Sequence, residues 1–240
     1  MHRTGNSNTR NSLLAYYKRQ GRIISIRRGL FATVPRLYIS SKYQVDPFLV
    51  ASKLATDAIL SHHTALEIQG KAYSMTSRVT YTSTMKGEPF TFQGMTYQRA
   101  NIPPNLKEQE RPKVGTITMN RMGIDVIVTG FERTMVDVLS RSDLSGSWEE
   151  IWRSLESIEF FDLDLVAEYL SLLDNSTTFA KVGFYLEQHK ALLMVDEAFL
   201  QELEKQKPKS PHYIERGYRK DCILQKRWNL MVPKALILQS

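Results

Sequence analysis

Ahead of its first acidic residue, Asp46, the chain places nine Lys and Arg residues (Arg3, Arg10, Lys18, Arg19, Arg22, Arg27, Arg28, Arg36 and Lys42) and no Asp or Glu. Side chains of this kind suit one sort of chemistry, the neutralisation of phosphate with release of its condensed counterions. The whole 240-residue chain carries +7, so everything from Asp46 onward sums to −2. Positive charge is placed, then, and is no general property of the chain. A second basic run, 206–240, sets eight Lys and Arg (Lys207, Lys209, Arg216, Arg219, Lys220, Lys226, Arg227 and Lys234) against Glu215 and Asp221. Two basic ends flanking an acidic middle point to a polyanionic partner.

Other constellations have residue types that suit catalysis. Asp162-x-Asp164, downstream of Gly146-Ser147, could serve a nuclease or nucleotidyltransferase with Glu159 as a third carboxylate, because such enzymes hold two metals on aspartates against a triphosphate. The aspartates sit where a helix begins, however, so the preferred reading is an N-terminal cap with favourable dipole partners. His62 and His63 have no third ligand at metal spacing and read as a first-turn surface feature. Glu132 and Arg133 could form an acid and guanidinium pair, but Glu132 is explained by a capping box begun at Thr129. Cys222 stands among Arg219, Lys220 and Asp221, whose basic members could lower its pKa. A lone thiol excludes an internal disulfide or a Cys-cluster zinc site. No metal and no cofactor is expected.

The elements that must carry the basic residues follow from local pattern. Asn8 or Thr9 can cap a helix over 10–20, with Leu13, Leu14, Tyr16 and Tyr17 as its apolar face and Gly21 at its stop. Arg10, Asn11, Lys18 and Arg19 then face outward. Ile23, Ile24 and Ile26 read as a strand, Arg27-Arg28-Gly29 as a tight turn, and Leu30 to Val34 as the return strand. A helix followed by a basic-tipped hairpin is how a winged helix ends, with the helix sized for the major groove and the tip for neighbouring phosphates.

Beyond Pro35 a mixed α/β region is expected. Asp46-Pro47 opens one helix, and Ser61 caps another that runs through Ala65, Leu66 and Ile68 to Gly70. Strands are predicted at 78–84, 90–92, 95–98, 115–119 and 124–128, with 101–114 as a mobile loop. Helices dominate afterwards, one opened by the box Ser147-x-x-Glu150 and carrying Trp148, Ile151, Trp152 and Leu155, then others near 163–173, 176–189 and 196–205. Lys205 to Pro211 reads as an extended linker. No apolar run approaches the ~20 residues of a membrane span, and the N-terminus lacks a secretory hydrophobic region, so the cytoplasm is the expected location.

Taken in order, Arg19-Gln-Gly-Arg-Ile-Ile-Ser-Ile-Arg-Arg-Gly-Leu-Phe, Leu60-Ser-His-His-Thr-Ala-Leu-Glu-Ile-Gln-Gly, Phe131-Glu-Arg-Thr-Met-Val-Asp-Val-Leu and Val182-Gly-Phe-Tyr-Leu-Glu resemble the AbiEi family. These are antitoxins and autoregulators of type IV abortive-infection toxin–antitoxin systems. The resemblance spans about 9 to 188. It implies an N-terminal winged helix that represses its own promoter at inverted repeats of double-stranded DNA, a second domain that neutralises a nucleotidyltransferase-like toxin, and possible homodimerisation on DNA. It places DNA contact on the helix ending at Arg19 and on the tip Arg27, Arg28 and Gly29, and gives Glu132, Arg133 and Asp137 a structural role. Family members carry further helices before the reading helix, whereas about nine residues precede it here. The winged helix is therefore expected to be truncated: either the true start lies upstream, or a reduced form binds DNA weakly or completes itself by dimerising.

The expected organisation is α+β: a basic winged-helix-like segment at 1–45, an α/β antitoxin-type domain with a helical C-terminal half at 46–205, and a basic extension at 206–240. Arg10, Asn11, Lys18, Arg19, Arg22, Arg27 and Arg28 are the candidate DNA contacts. The alternatives are the nucleic-acid-processing enzyme built on Asp162 and Asp164, and an antitoxin that has lost DNA binding.

Overall fold

The computed structural model describes residues 7–215 and 219–237. Arg3 and Arg216, named above, lie outside the described residues. The chain has an α+β fold. Helix α1 (Ser7–Arg19) leads into a hairpin of β1 (Ile23–Arg27) and β2 (Leu30–Thr33). Next come α2 (Pro47–Ser52), β3 (Ile59–Leu60), α3 (His63–Ile68), β4 (Arg78–Ser83), β5 (Phe90–Phe92), β6 (Met95–Asn101), α4 (Pro104–Glu108), β7 (Thr116–Arg121) and β8 (Ile124–Thr129). A helical half follows, with α5 (Phe131–Ser140), α6 (Trp148–Glu156), α7 (Leu163–Leu173), α8 (Ser176–Gln188) and α9 (Glu197–Lys205). The chain closes with β9 (His212–Tyr213), β10 (Cys222–Gln225) and β11 (Leu230–Pro233).

Strands β3 to β8 make one mixed sheet in the order β5-β6-β4-β3-β8-β7. Its β4–β6 and β3–β8 pairs are parallel and the rest antiparallel. Side chains alternate along β4, so Val79 and Tyr81 join a core shared with Phe48 and Leu54 while Thr80 and Thr82, on the opposite face, are also buried. Burial on both faces leaves this strand without a solvent-facing side, and its Thr80 and Thr82 face is polar yet buried.

The helical half builds a second, larger core. In α6, Trp148, Ile151, Trp152 and Leu155 fall on one stripe, and Trp152 meets the Tyr185 ring edge-on at 5.0 Å. Its start is the expected box, with the Ser147 hydroxyl accepting from the Glu150 N–H and the Glu150 carboxylate from the Ser147 N–H. Residues after 205 share this core: Ile214, Trp228, Leu230 and Val232 are all buried in it. Trp228 lies so close to α8 that a Cβ on Gly183 would sit 2.1 Å from its ring, so only glycine fits there. Its indole N–H donates to Glu187 at 2.6 Å.

Several local expectations are corrected. The box at Thr129 does not form: Thr129 ends β8, Gly130 stands at the helix boundary without a side-chain cap, and Glu132 instead accepts from the Asp162 N–H at 3.2 Å. Ser61 caps nothing; its hydroxyl is buried against His62 and Thr82. His62 and His63 are no surface feature, being 6% and 3% exposed. Part of the expected loop 101–114 is helix α4, anchored by fully buried Leu106. Helix α1 starts at Ser7, ahead of the proposed caps Asn8 and Thr9. Among the described residues, no helix is long and apolar enough to cross a membrane.

Candidate nucleic-acid interface

Helix α1 ends where predicted and for the predicted reason. Gly21 adopts φ +64°, which lets its N–H bond the Lys18 carbonyl at 3.1 Å and the Arg22 N–H bond the Tyr17 carbonyl at 2.9 Å. This paired closure satisfies the orphan carbonyls of the last turn. Lys18 and Arg19 occupy that turn, where cations complement the negative helix end, and no acidic residue stands in the first turn. Arg10, Asn11, Lys18 and Arg19 are all exposed. Asn11 and Lys18, seven residues apart, lie one above the other on the same face. The apolar side of α1 is only partly covered: Leu13, Tyr16 and Tyr17 are 45–50% exposed.

The hairpin is irregular in a way that decides where its arginines go. Ile23, Ile24 and Ser25 pair with Thr33, Ala32 and Phe31, and then the register slips so that Arg27 pairs with Leu30. Such a bulge bends the strand and re-aims its side chains. Ile26 and Leu30 pack against the core around Phe48 and Leu54. Arg27 follows them: its guanidinium donates to the Leu54 carbonyl and lies 5.8 Å from the Phe90 ring centroid. Arg28, the next residue, is exposed beside Gly29, whose φ is +82°. The structure thus brings Arg10, Asn11, Lys18, Arg19, Arg22 and Arg28 to the surface of one N-terminal unit and turns Arg27 onto the body of the protein. Among the described residues, no carboxylate pairs with Arg10, Lys18, Arg19, Arg22 or Arg28.

The N-terminal unit is tied to the sheet at two further points. The Gln93 side chain accepts from the Val45 N–H and donates to the Tyr43 carbonyl, at 2.9 and 2.8 Å. Asp46 caps α2 by accepting from the Phe48 and Leu49 N–H groups, and its other oxygen meets Arg121 at 2.7 Å. The first carboxylate of the chain is therefore spent on holding α2 and β7, away from the exposed cations.

Other candidates are structural. Asp162 accepts from the Asp164 and Leu165 N–H groups, the cap that spacing suggested. Among the described residues no group of three His, Cys, Asp or Glu side chains could hold a metal ion. Arg133 is 1% exposed; it donates to the Pro112 and Val114 carbonyls at 2.8 and 2.7 Å and faces Asp137 at 3.4 Å. Asp137 also accepts from the Tyr169 hydroxyl at 2.7 Å. For Cys222 the expected lowering is reversed: burial and the Asp221 carboxylate push the thiol up. Sequence reasoning missed the buried polar set around His62, whose only local signal was two histidines beside Ser61 at the end of a short apolar strand.

No protein-family profile matches the chain, and no curated protein matches it. Among solved structures, its fold is similar to the crystal structure of the RV2827C protein from Mycobacterium tuberculosis. The two share 15% identity at a TM-score of 0.62, over 95% of this chain and 80% of that one. At that identity the likeness concerns fold alone.

Proposed function

We propose that the chain is a DNA-binding transcriptional autoregulator and antitoxin that acts in the cytoplasm by binding, without turnover. Helix α1 and the β1–β2 hairpin serve as the reading helix and wing of a winged helix: α1 lies in the major groove, with Asn11 and Lys18 toward the bases and Arg10, Arg19, Arg22 and Arg28 on phosphates. Arg27 braces the hairpin against the body and fixes the angle of the tip. The body binds a nucleotidyltransferase-like toxin, as the resemblance to AbiEi proteins implies, and two copies would match an inverted repeat.

One observation carries the DNA half of this reading, the group of exposed cations on α1 and the hairpin that no carboxylate neutralises among the described residues. An exposed cation with no carboxylate beside it contributes its full charge to counterion release along a phosphate backbone. A mobility-shift titration against the chain's own upstream DNA tests it. With about six phosphates neutralised, affinity should fall on the order of a thousandfold between roughly 50 and 200 mM salt. A flat titration contradicts the mode. For the antitoxin half, co-purification with the product of the adjacent reading frame is the corresponding test.

A further inference from the structure

The polar residues left unexplained by DNA binding converge on a cleft of about 240 Å³ in the body of the protein. Its floor is the C-terminal ends of the parallel strands β4 and β6, represented by Thr82 and Ala100, which face each other in register. Ligands of open α/β sheets gather at such carboxyl ends. One wall is apolar, from Ile102 to Pro104 with Leu173. Polar groups come from along α5, at Arg133, Asp137 and Ser140, and from the start of α8.

His62 is the most telling member. It lines the cleft at 6% exposure and is held at φ +57°, a conformation uncommon for any residue but glycine. Its Nδ1 is bonded to the Ser61 hydroxyl at 2.9 Å, and that hydroxyl accepts from Thr82 at 2.7 Å. Among the described residues Nδ1 makes the one hydrogen bond of the ring, and Nε2 is left without a hydrogen-bond partner. Burial pushes the imidazole pKa down, countered in part by Asp137, so near neutral pH the ring is uncharged and offers Nε2 as a hydrogen-bonding group.

The charged lining residues are Arg133, Arg141 and Asp137, a net of one positive charge. Helix α8 has 13 residues and presents its N-terminus to the cleft through Asn175 and Thr178, the positive end of its dipole. Arg141 stands at the mouth, positioned by Asp143 through two bonds of 2.8 Å. Thr178 donates to the Ser140 hydroxyl at 3.2 Å, leaving the Ser140 proton free to donate in turn. Asp137 carries the negative charge of the lining, offset by Arg133 at 3.4 Å, and it accepts from the Tyr169 hydroxyl at 2.7 Å.

We propose that this cleft binds a small organic anion, a phosphate or carboxylate on a compact apolar or planar body. The body would lie on the Pro103, Pro104 and Leu173 wall with a polar edge on His62 Nε2, and the anionic group would meet Ser140, Arg141 and the α8 N-terminus. The proposal is independent of DNA binding.

Calorimetric titration of the full chain tests it with four probes: adenosine monophosphate and benzoate as anions, adenosine and benzyl alcohol as uncharged counterparts. Saturable binding of at least one anion is expected, weakened roughly tenfold or more in Ser140→Ala and Arg141→Ala, with the uncharged partner weaker still. Arg141→Ala and Ser140→Ala alter partly exposed positions, and the wild-type titration itself needs no variant to fold. The proposal is overturned if neither anion binds, if the uncharged probes bind as well, or if both variants bind as wild type does. It is equally overturned if Arg28→Ala abolishes binding while Arg141→Ala leaves it intact, because the anion would then sit on the N-terminal cations.

Discussion

The two basic ends of the chain differ in how much charge folding pairs: the C-terminal end has Lys207 and Arg227 paired, with Lys209, Arg219, Lys220, Lys226 and Lys234 left exposed. At the N-terminal end, Arg10, Lys18, Arg19, Arg22 and Arg28 stand exposed with no carboxylate partner among the described residues. At the C-terminal end, Arg227 is gripped by three carboxylates, Glu187 at 2.8 Å, Glu197 at 2.6 Å and Glu204 at 3.0 Å, and Lys207 also pairs with Glu204. Two basic runs in sequence therefore differ in meaning at Arg227 and Lys207, which folding pairs. The acidic partners of the tail come from α8 and α9, which chain order separates from it and folding brings back. Among the described residues, helix α1 and its hairpin meet no such acidic surface. Charge that folding neutralises stabilises the protein, and charge that folding leaves free is available to a phosphate backbone.

The comparison can be broken first at Trp228, the residue that makes the tail part of the core. Trp228→Ala should lower unfolding stability by about 3–5 kcal/mol, read by urea denaturation, because it empties a fully buried site packed against Gly183 and strips Glu187 of its indole donor. DNA affinity of the folded fraction should be unchanged. A loss of DNA binding with stability intact would mean that the tail, too, faces nucleic acid.

How far these roles were legible depended on the reach of the interactions involved. The stop of α1 at Gly21, the Ser147 box and the Asp162 cap are decided within a few residues, and pattern alone located them. Thr129 failed as a cap because β8 claimed it, a sheet interaction that local spacing does not reveal. His62 reads as a surface residue only while its neighbours in space, Thr82, Arg133 and Asp137, are unknown. Arg27 and Arg28 are indistinguishable as a dipeptide. A one-residue slip in the hairpin and the carbonyl of Leu54 separate them.

A smaller effect is expected at Arg227 and is pH-dependent. The bonds from Lys190 and Arg227 hold the Glu197 carboxyl below its usual range. At Glu204 burial pushes upward, but Lys207 and Arg227 outweigh it and the carboxyl is again lowered. Folded-state values depressed below the unfolded ones contribute stability above the unfolded pKa, lost as pH falls through the folded values. Arg227→Met should therefore flatten the acid limb of the stability profile between about pH 5 and pH 3. At neutral pH it should cost about 1 kcal/mol after solvent screening of partly exposed partners. An acid limb as steep as that of wild type would show that other carboxylates govern it.

The smallest and most decisive comparison lies between adjacent residues, measured as the slope of log affinity against log salt for wild type, Arg28→Ala and Arg27→Ala on the upstream DNA. Arg28→Ala should make the slope shallower by about one with no change in thermal unfolding, as loss of a single phosphate contact requires. Arg27→Ala should keep the wild-type slope and lose about 1 kcal/mol of stability as its bond to the Leu54 carbonyl disappears. Equal slopes for all three proteins, or a change at Arg27 as large as that at Arg28, would contradict the division between free and docked charge.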